Sequence, residues 1–218
     1  MTNFKITSKR FCLLSGYSGI LGVVMLIISF NINPGPPLNA PLNHLIEFGK
    51  QYYGAILWGA WLQAVAPVLI VLFAFSLVKL ADATNTLAGW MTMFGAVVLM
   101  IVSLVEITFY IVALFISPNI GILITLNTIH AVQHLYFIVA APTLFISLGI
   151  VLFASNVLHR IFAYLAFFIG ISFGVIGMIF LLKLILPMWV TAIASIQAIW
   201  WLAASISLIV RSGKFDID

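Results

Sequence analysis

The sequence predicts an all-α fold: a polytopic membrane bundle of six transmembrane helices with a short outer interfacial helix. Three observations predict it. Of 218 residues, 64% are hydrophobic and 6% charged, against about 45–50% and about 25% in soluble domains. Six stretches each supply the roughly 20 apolar residues that cross a hydrocarbon core about 30 Å thick. Basic residues gather on alternate sides of those stretches. The soluble, disordered and disulfide-framework classes are excluded on composition. The lipid bilayer is the first expected partner.

The chain reads as a single transmembrane domain, 1–218, with spans at 11–30, 53–80, 87–116, 120–153, 158–186 and 188–210. The first span follows Lys5, Lys9 and Arg10. It is too long for a signal-peptide core and no small-residue cleavage site follows, so a retained anchor is expected. The run from Asn31 to Pro37 ends it, because proline removes donors and Asn and Gly favour turns. Asp82 to Asn85 separates the second span from the third. Ser117, Pro118 and Asn119 form an outer turn that makes the third and fourth spans antiparallel neighbours. The fourth stretch is too long for one straight crossing, and Pro142 is the expected kink. Ser155, Asn156 and Arg160 mark the next break, and Pro187 suits the first turn of the last helix.

The outer loop, 31–52, carries the interfacial helix. Leu42, Leu45, Ile46 and Tyr53 fall near one helical face, and Asn43, Glu47 and Lys50 fall on another. His44 and Glu47 share a face there and read as a solvated pair.

Nine Lys and Arg against five Asp and Glu give a net charge of +4. Lys5, Lys9, Arg10, Lys79, Arg160, Arg211 and Lys214 fall on the side of the termini, and Lys50 and Lys183 on the other. That bias predicts a cell-membrane protein with cytoplasmic termini and no nucleic-acid partner. The single cysteine, Cys12, excludes an intrachain disulfide and a thiolate cluster, and reads as a small apolar residue.

The polar residues inside the spans carry the functional expectation. Gln63, Glu106, His130 and Gln197 each lie nine or ten residues from the outer end of their span, a depth of roughly 15 Å. On the fourth span Asn127, His130 and His134 fall within an arc of about 60°, as do Ser103, Glu106 and Tyr110 on the third. Gln133 lies in the same span as the histidines. Glu106 is expected to meet His130. A carboxylate at mid-bilayer costs about 2.5–3.5 kcal/mol on insertion scales, and an interhelical hydrogen bond recovers about 0.6 kcal/mol. An intramembrane ionisable residue is therefore read as functional first.

The leading expectation is a site for binding or transporting a small solute or ion. It is built on Glu106, His130 and His134, with Gln63, Gln197, Asn127 and Tyr110 around it. One alternative is a metal- or haem-dependent membrane enzyme, with His130, His134 and Glu106 as ligands to zinc or iron, or one histidine on haem. Another is an accessory subunit whose polar groups pin helices together.

Two further patterns are noted. Gly16, Gly19 and Gly22, and Gly170, Gly174 and Gly177, form small-residue stripes suited to close packing within the chain, with self-association as the alternative. Trp58 and Trp189 suit the outer interface belt. Trp61, Trp200 and Trp201 suit core packing or a pocket wall.

Overall fold

The computed structural model describes residues 8–33, 40–115, 120–181 and 187–215. The turns expected at 34–37 and 117–119, and Lys5 and Lys183, lie outside the described residues. Apart from short turns, these residues are helical. Helix α1 (Ser8–Ile32) is followed by a short α2 (Leu42–Gln51), α3 (Tyr53–Leu80) and α4 (Leu87–Phe115). The fourth crossing comprises α5 (Ile120–Leu135), a π-helical turn (Tyr136–Ala140) and α6 (Ala141–Ala154). Helices α7 (Arg160–Leu181) and α8 (Pro187–Arg211) complete the bundle. Six of these segments are long and apolar enough to cross a membrane. Large apolar side chains such as Leu21, Phe94, Ile101, Phe168 and Met178 point outward from them. Such an exterior is unfavourable in water and natural in lipid.

The crossings pack in chain order and close into a ring. Helix α1 lies along α3, α3 along α4, α4 along α5 and α6, α6 along α7, α7 along α8, and α8 returns to α1. Hydrogen bonds mark several of these seams. The Ser29 hydroxyl of α1 donates to the Gly59 carbonyl of α3 at 2.7 Å. Ser103 of α4 donates to the Gln63 carbonyl of α3 at 3.2 Å. Thr92 of α4 donates to Ser147 of α6 at 3.0 Å. The Trp200 indole of α8 donates to the Phe162 carbonyl of α7 at 2.9 Å. An aromatic cluster of Phe73, Phe145, Trp200 and Trp201 packs inside the ring, with centroid separations of 4.8–5.8 Å.

The glycine stripes serve packing within the chain. A Cβ on Gly19 would lie 2.2 Å from the Ser205 hydroxyl and 2.9 Å from the Phe73 ring, so α1 touches both α8 and α3 there. Gly170 and Gly177 likewise face α6 and the π turn. Helices α4 and α6 approach closely at Gly95, where a Cβ would sit 2.5 Å from the Leu144 backbone nitrogen. Trp200 and Trp201 are buried as expected, while Trp61 is 54% exposed and faces outward, a correction to its expected place in the core. Trp58 and Trp189 are exposed.

The turn between α3 and α4 is built by local chemistry. Asp82 occupies the left-handed region at φ 52°. The Ala83 N–H donates to the Val78 carbonyl and the Asp82 N–H to the Lys79 carbonyl, the paired bonds of a Schellman ending. Thr86 then caps α4: its hydroxyl oxygen accepts from the Gly89 N–H at 3.0 Å.

The kink expected at Pro142 takes a specific form. Proline has no N–H and its ring crowds the carbonyl four residues earlier. The chain absorbs this one turn ahead, where the Ala141 N–H reaches back to the Tyr136 carbonyl and places an extra residue in the turn. Helix α2 matches its expected amphipathic pattern, with Leu45 buried and Asn43, Glu47 and Lys50 exposed. Phe48 packs on Tyr52 at its end, at 4.9 Å.

Two predictions follow from this packing. Gly95→Ala is expected to destabilise the protein by about 1–3 kcal/mol, because backbone cannot yield to the added methyl. Asp82→Gly is expected to stabilise it by up to about 1 kcal/mol, by relieving the left-handed conformation. Unfolding by denaturant titration in mixed micelles measures both.

Candidate functional site

One cavity of about 760 Å³ opens at the centre of the ring, and every crossing contributes to its wall. Most of the wall is apolar: Val23, Leu26 and Ile70, then Leu99, Phe173 and Trp201. The polar side chains are fewer, and the larger ones fall in two groups. Gln63 on α3, Glu106 on α4 and Gln133 on α5 meet at one side. Tyr136 in the π turn and Gln197 on α8 meet at another.

Glu106 is the hub of the first group. Its Oε1 accepts from Gln133 Nε2 at 2.8 Å, and its Oε2 accepts from Gln63 Nε2 at 3.3 Å. Both carboxylate oxygens are therefore held by amide donors from different helices. Ser103, one turn before Glu106 on the same face, anchors the backbone of Gln63. With their amide nitrogens turned to the carboxylate, Gln63 and Gln133 keep their amide oxygens as acceptors. This side of the cavity is rich in acceptors. In the second group the Tyr136 hydroxyl donates to Gln197 Oε1. Tyr136 and Phe137 continue as an aromatic wall against Phe173, at 5.3 and 5.8 Å. The buried indole N–H of Trp201, whose side chain also lines the cavity, has no hydrogen-bond partner among the described residues.

The structure thus brings Gln63, Glu106 and Gln197 to one cavity and leaves the other expected site residues off its wall. Glu106 meets Gln133 in place of His130. The reason is helical phase: the face that α5 turns to α4 is centred three residues beyond His130, and His130 itself is exposed. The His134 Nδ1–H donates to the His130 carbonyl at 2.7 Å within the helix, and its ring lies 5.7 Å from Phe180. Asn127 is exposed, and Tyr110 lies one turn beyond Glu106, outside the cavity lining. Among the described residues no three His, Cys, Asp or Glu side chains come close enough to share a metal ion. The expected metal centre on His130, His134 and Glu106 is corrected accordingly: the carboxylate points to two amides, while one imidazole faces outward and the other binds its own helix. A haem held by either histidine would likewise sit outside the cavity.

Gln133 and Tyr136 are the residues that arc counting did not place in the site. Gln133 is visible in the sequence as a polar group inside a span. Its pairing with Glu106 depends on how α5 is rotated against α4. Tyr136 reaches the cavity because the π turn shifts the phase of the helix at that point.

Gln133→Leu removes the donor of the shorter carboxylate bond. It is expected to cost about 1–2 kcal/mol of unfolding free energy, while His130→Leu, on the outer face, is expected to cost less than about 0.5 kcal/mol. Paired denaturant titrations in micelles measure the difference. No protein-family model, no curated protein and no solved structure matches this chain.

Proposed function

We propose that this membrane protein binds a small solute in the ring-enclosed cavity, with Glu106 as the polar anchor and Gln63, Gln133, Tyr136 and Gln197 as hydrogen-bonding neighbours. The observation that carries the reading is the Glu106 carboxylate, held at both oxygens on the wall of a cavity that all six crossings line. A mostly apolar cavity with a few convergent polar groups is the usual form of a small-molecule site. The anchor is acidic and its neighbours offer acceptors, so the preferred solute is a hydrogen-bond donor or a cation. Movement of that solute across the membrane would use the same anchor, with a proton on Glu106 exchanging for it. In this reading the end of the bundle that carries Lys9, Arg10, Lys79, Arg160 and Arg211 faces the cytoplasm.

A structural role is the second reading, favoured by one observation. The same carboxylate ties α3, α4 and α5 together.

One experiment separates the two. Wild-type protein and the Glu106→Gln and Glu106→Ala variants are purified in mild detergent, matched for helix content and monodispersity, and extracted for co-purifying small molecules. Binding predicts a species retained by wild type and depleted in folded Glu106→Ala. If both variants fold and retain the same extractable species as wild type, solute binding at Glu106 is wrong. If neither variant assembles while Gln197→Ala does, the structural reading holds.

A further inference from the structure

We infer that the cavity is filled sideways from the bilayer, through a slot between α1 and α8, by a membrane-dissolved amphiphile with a hydrogen-bond-donating head. This deepens the binding reading and rests on it.

The first observation is how α1 and α8 meet. Near the termini they are in close contact: a Cβ on Gly16 would lie 2.4 Å from the Ile209 side chain, and one on Gly19 would lie 2.2 Å from the Ser205 hydroxyl. Toward the other end the two helices cease to seal against each other. From Val23 to Asn31 on α1 and from Val190 to Trp201 on α8, the facing residues line the cavity. Several of these lining residues are also exposed on the outside of the bundle. Phe30 is 63% and Ile27 40% exposed, and Thr191, Ala194 and Ser195 are exposed as well. The exposed members of the lining all belong to α1 and α8, as expected where the cavity reaches the outside between these two helices. The opening therefore runs along the α1–α8 seam.

The second observation is what lies at each end of this path. The slot is bordered by Ile27, Phe30 and Ala194 with the small polar Asn31, Thr191 and Ser195, on two segments long and apolar enough to cross a membrane, so an opening between them faces the lipid layer. The acceptor-rich group of Gln63, Glu106 and Gln133 lies across the cavity on α3, α4 and α5. A molecule that fits both ends has an apolar body, which occupies the slot and the wall of Val23, Leu26 and Phe173. Its compact head donates hydrogen bonds to the carboxylate and the amide oxygens. An ammonium also matches the charge of Glu106, whereas a carboxylate head would meet acceptors and a like charge. A wholly water-soluble solute would leave the apolar slot unused.

The test uses photoactivatable diazirine derivatives of hexadecylamine, hexadecanol and hexadecanoic acid, incorporated in phosphatidylcholine vesicles with the full-length protein. A diazirine-bearing short-chain amine added from water is the fourth probe. Labelled peptides are mapped by mass spectrometry. The expected result is labelling of 23–31 and 190–201 by the long-chain amine and alcohol, with none by the acid. Ala194→Trp and Ser195→Trp, which obstruct the slot from an exposed position, should abolish that labelling, and Phe168→Trp on the outer face of α7 should leave it intact. Glu106→Gln should remove the preference for amine over alcohol. If the short-chain amine labels the cavity in wild type and in Ala194→Trp while the long-chain probes do not label it, the lateral route is overturned and solute binding stands. If no probe labels the cavity, both readings fail. Equal labelling by the acid overturns the assigned head-group chemistry.

Discussion

A carboxylate inside a hydrocarbon layer is tolerated only when its oxygens find donors, and that requirement organises the centre of this protein. Glu106 takes one amide from α3 and one from α5. Those two helices must therefore flank α4 with their glutamines at one height. Inserting the carboxylate costs about 3 kcal/mol, which its two amide hydrogen bonds offset only in part.

The ring around this hub is held mainly by shape. Lipid tails are as apolar as leucine, so burial of apolar surface supplies little drive between helices, and close packing supplies more. Gly19 and Gly95 provide it by letting backbones approach, and the inter-helix bonds of Ser29, Thr92, Ser103 and Trp200 each fix a seam. The seam between α1 and α8 is sealed in the same way only near the termini. Beyond Gly19, the bulky Val23, Leu26 and Phe30 of α1 border the cavity. Sealed and open parts of one helix pair thus follow from a change in residue size along α1.

The π turn links backbone strain to the cavity. Pro142 cannot continue the α-helical ladder, and the extra residue in the preceding turn rotates α5 relative to α6. Tyr136 consequently faces Gln197 on α8, and Phe137 stacks on Phe173 of α7. Packing against α4 and α7 on either side keeps the break from becoming a free hinge.

Composition, span length and periodicity by themselves determined the class, the six crossings and the short amphipathic helix, because the cost of exposing polar backbone to lipid leaves few alternatives. They also determined that Glu106, Gln63 and Gln197 needed explanation, since polar groups in hydrocarbon stand out at any helical phase. What the residues alone did not decide was the phase itself. Glu106 was expected to face His130, and a rotation of α5 puts Gln133 there, leaving both histidines away from the cavity and no shared metal site among the described residues. Rotation of a helix about its axis is set by the sum of many contacts with its neighbours, each weak, and the sequence of one helix does not contain that sum. The same holds for the cavity wall that α1 and α8 share: the close contacts at Gly16 and Gly19 and the lining residues beyond them belong to the pair of helices, which only the tertiary structure decides.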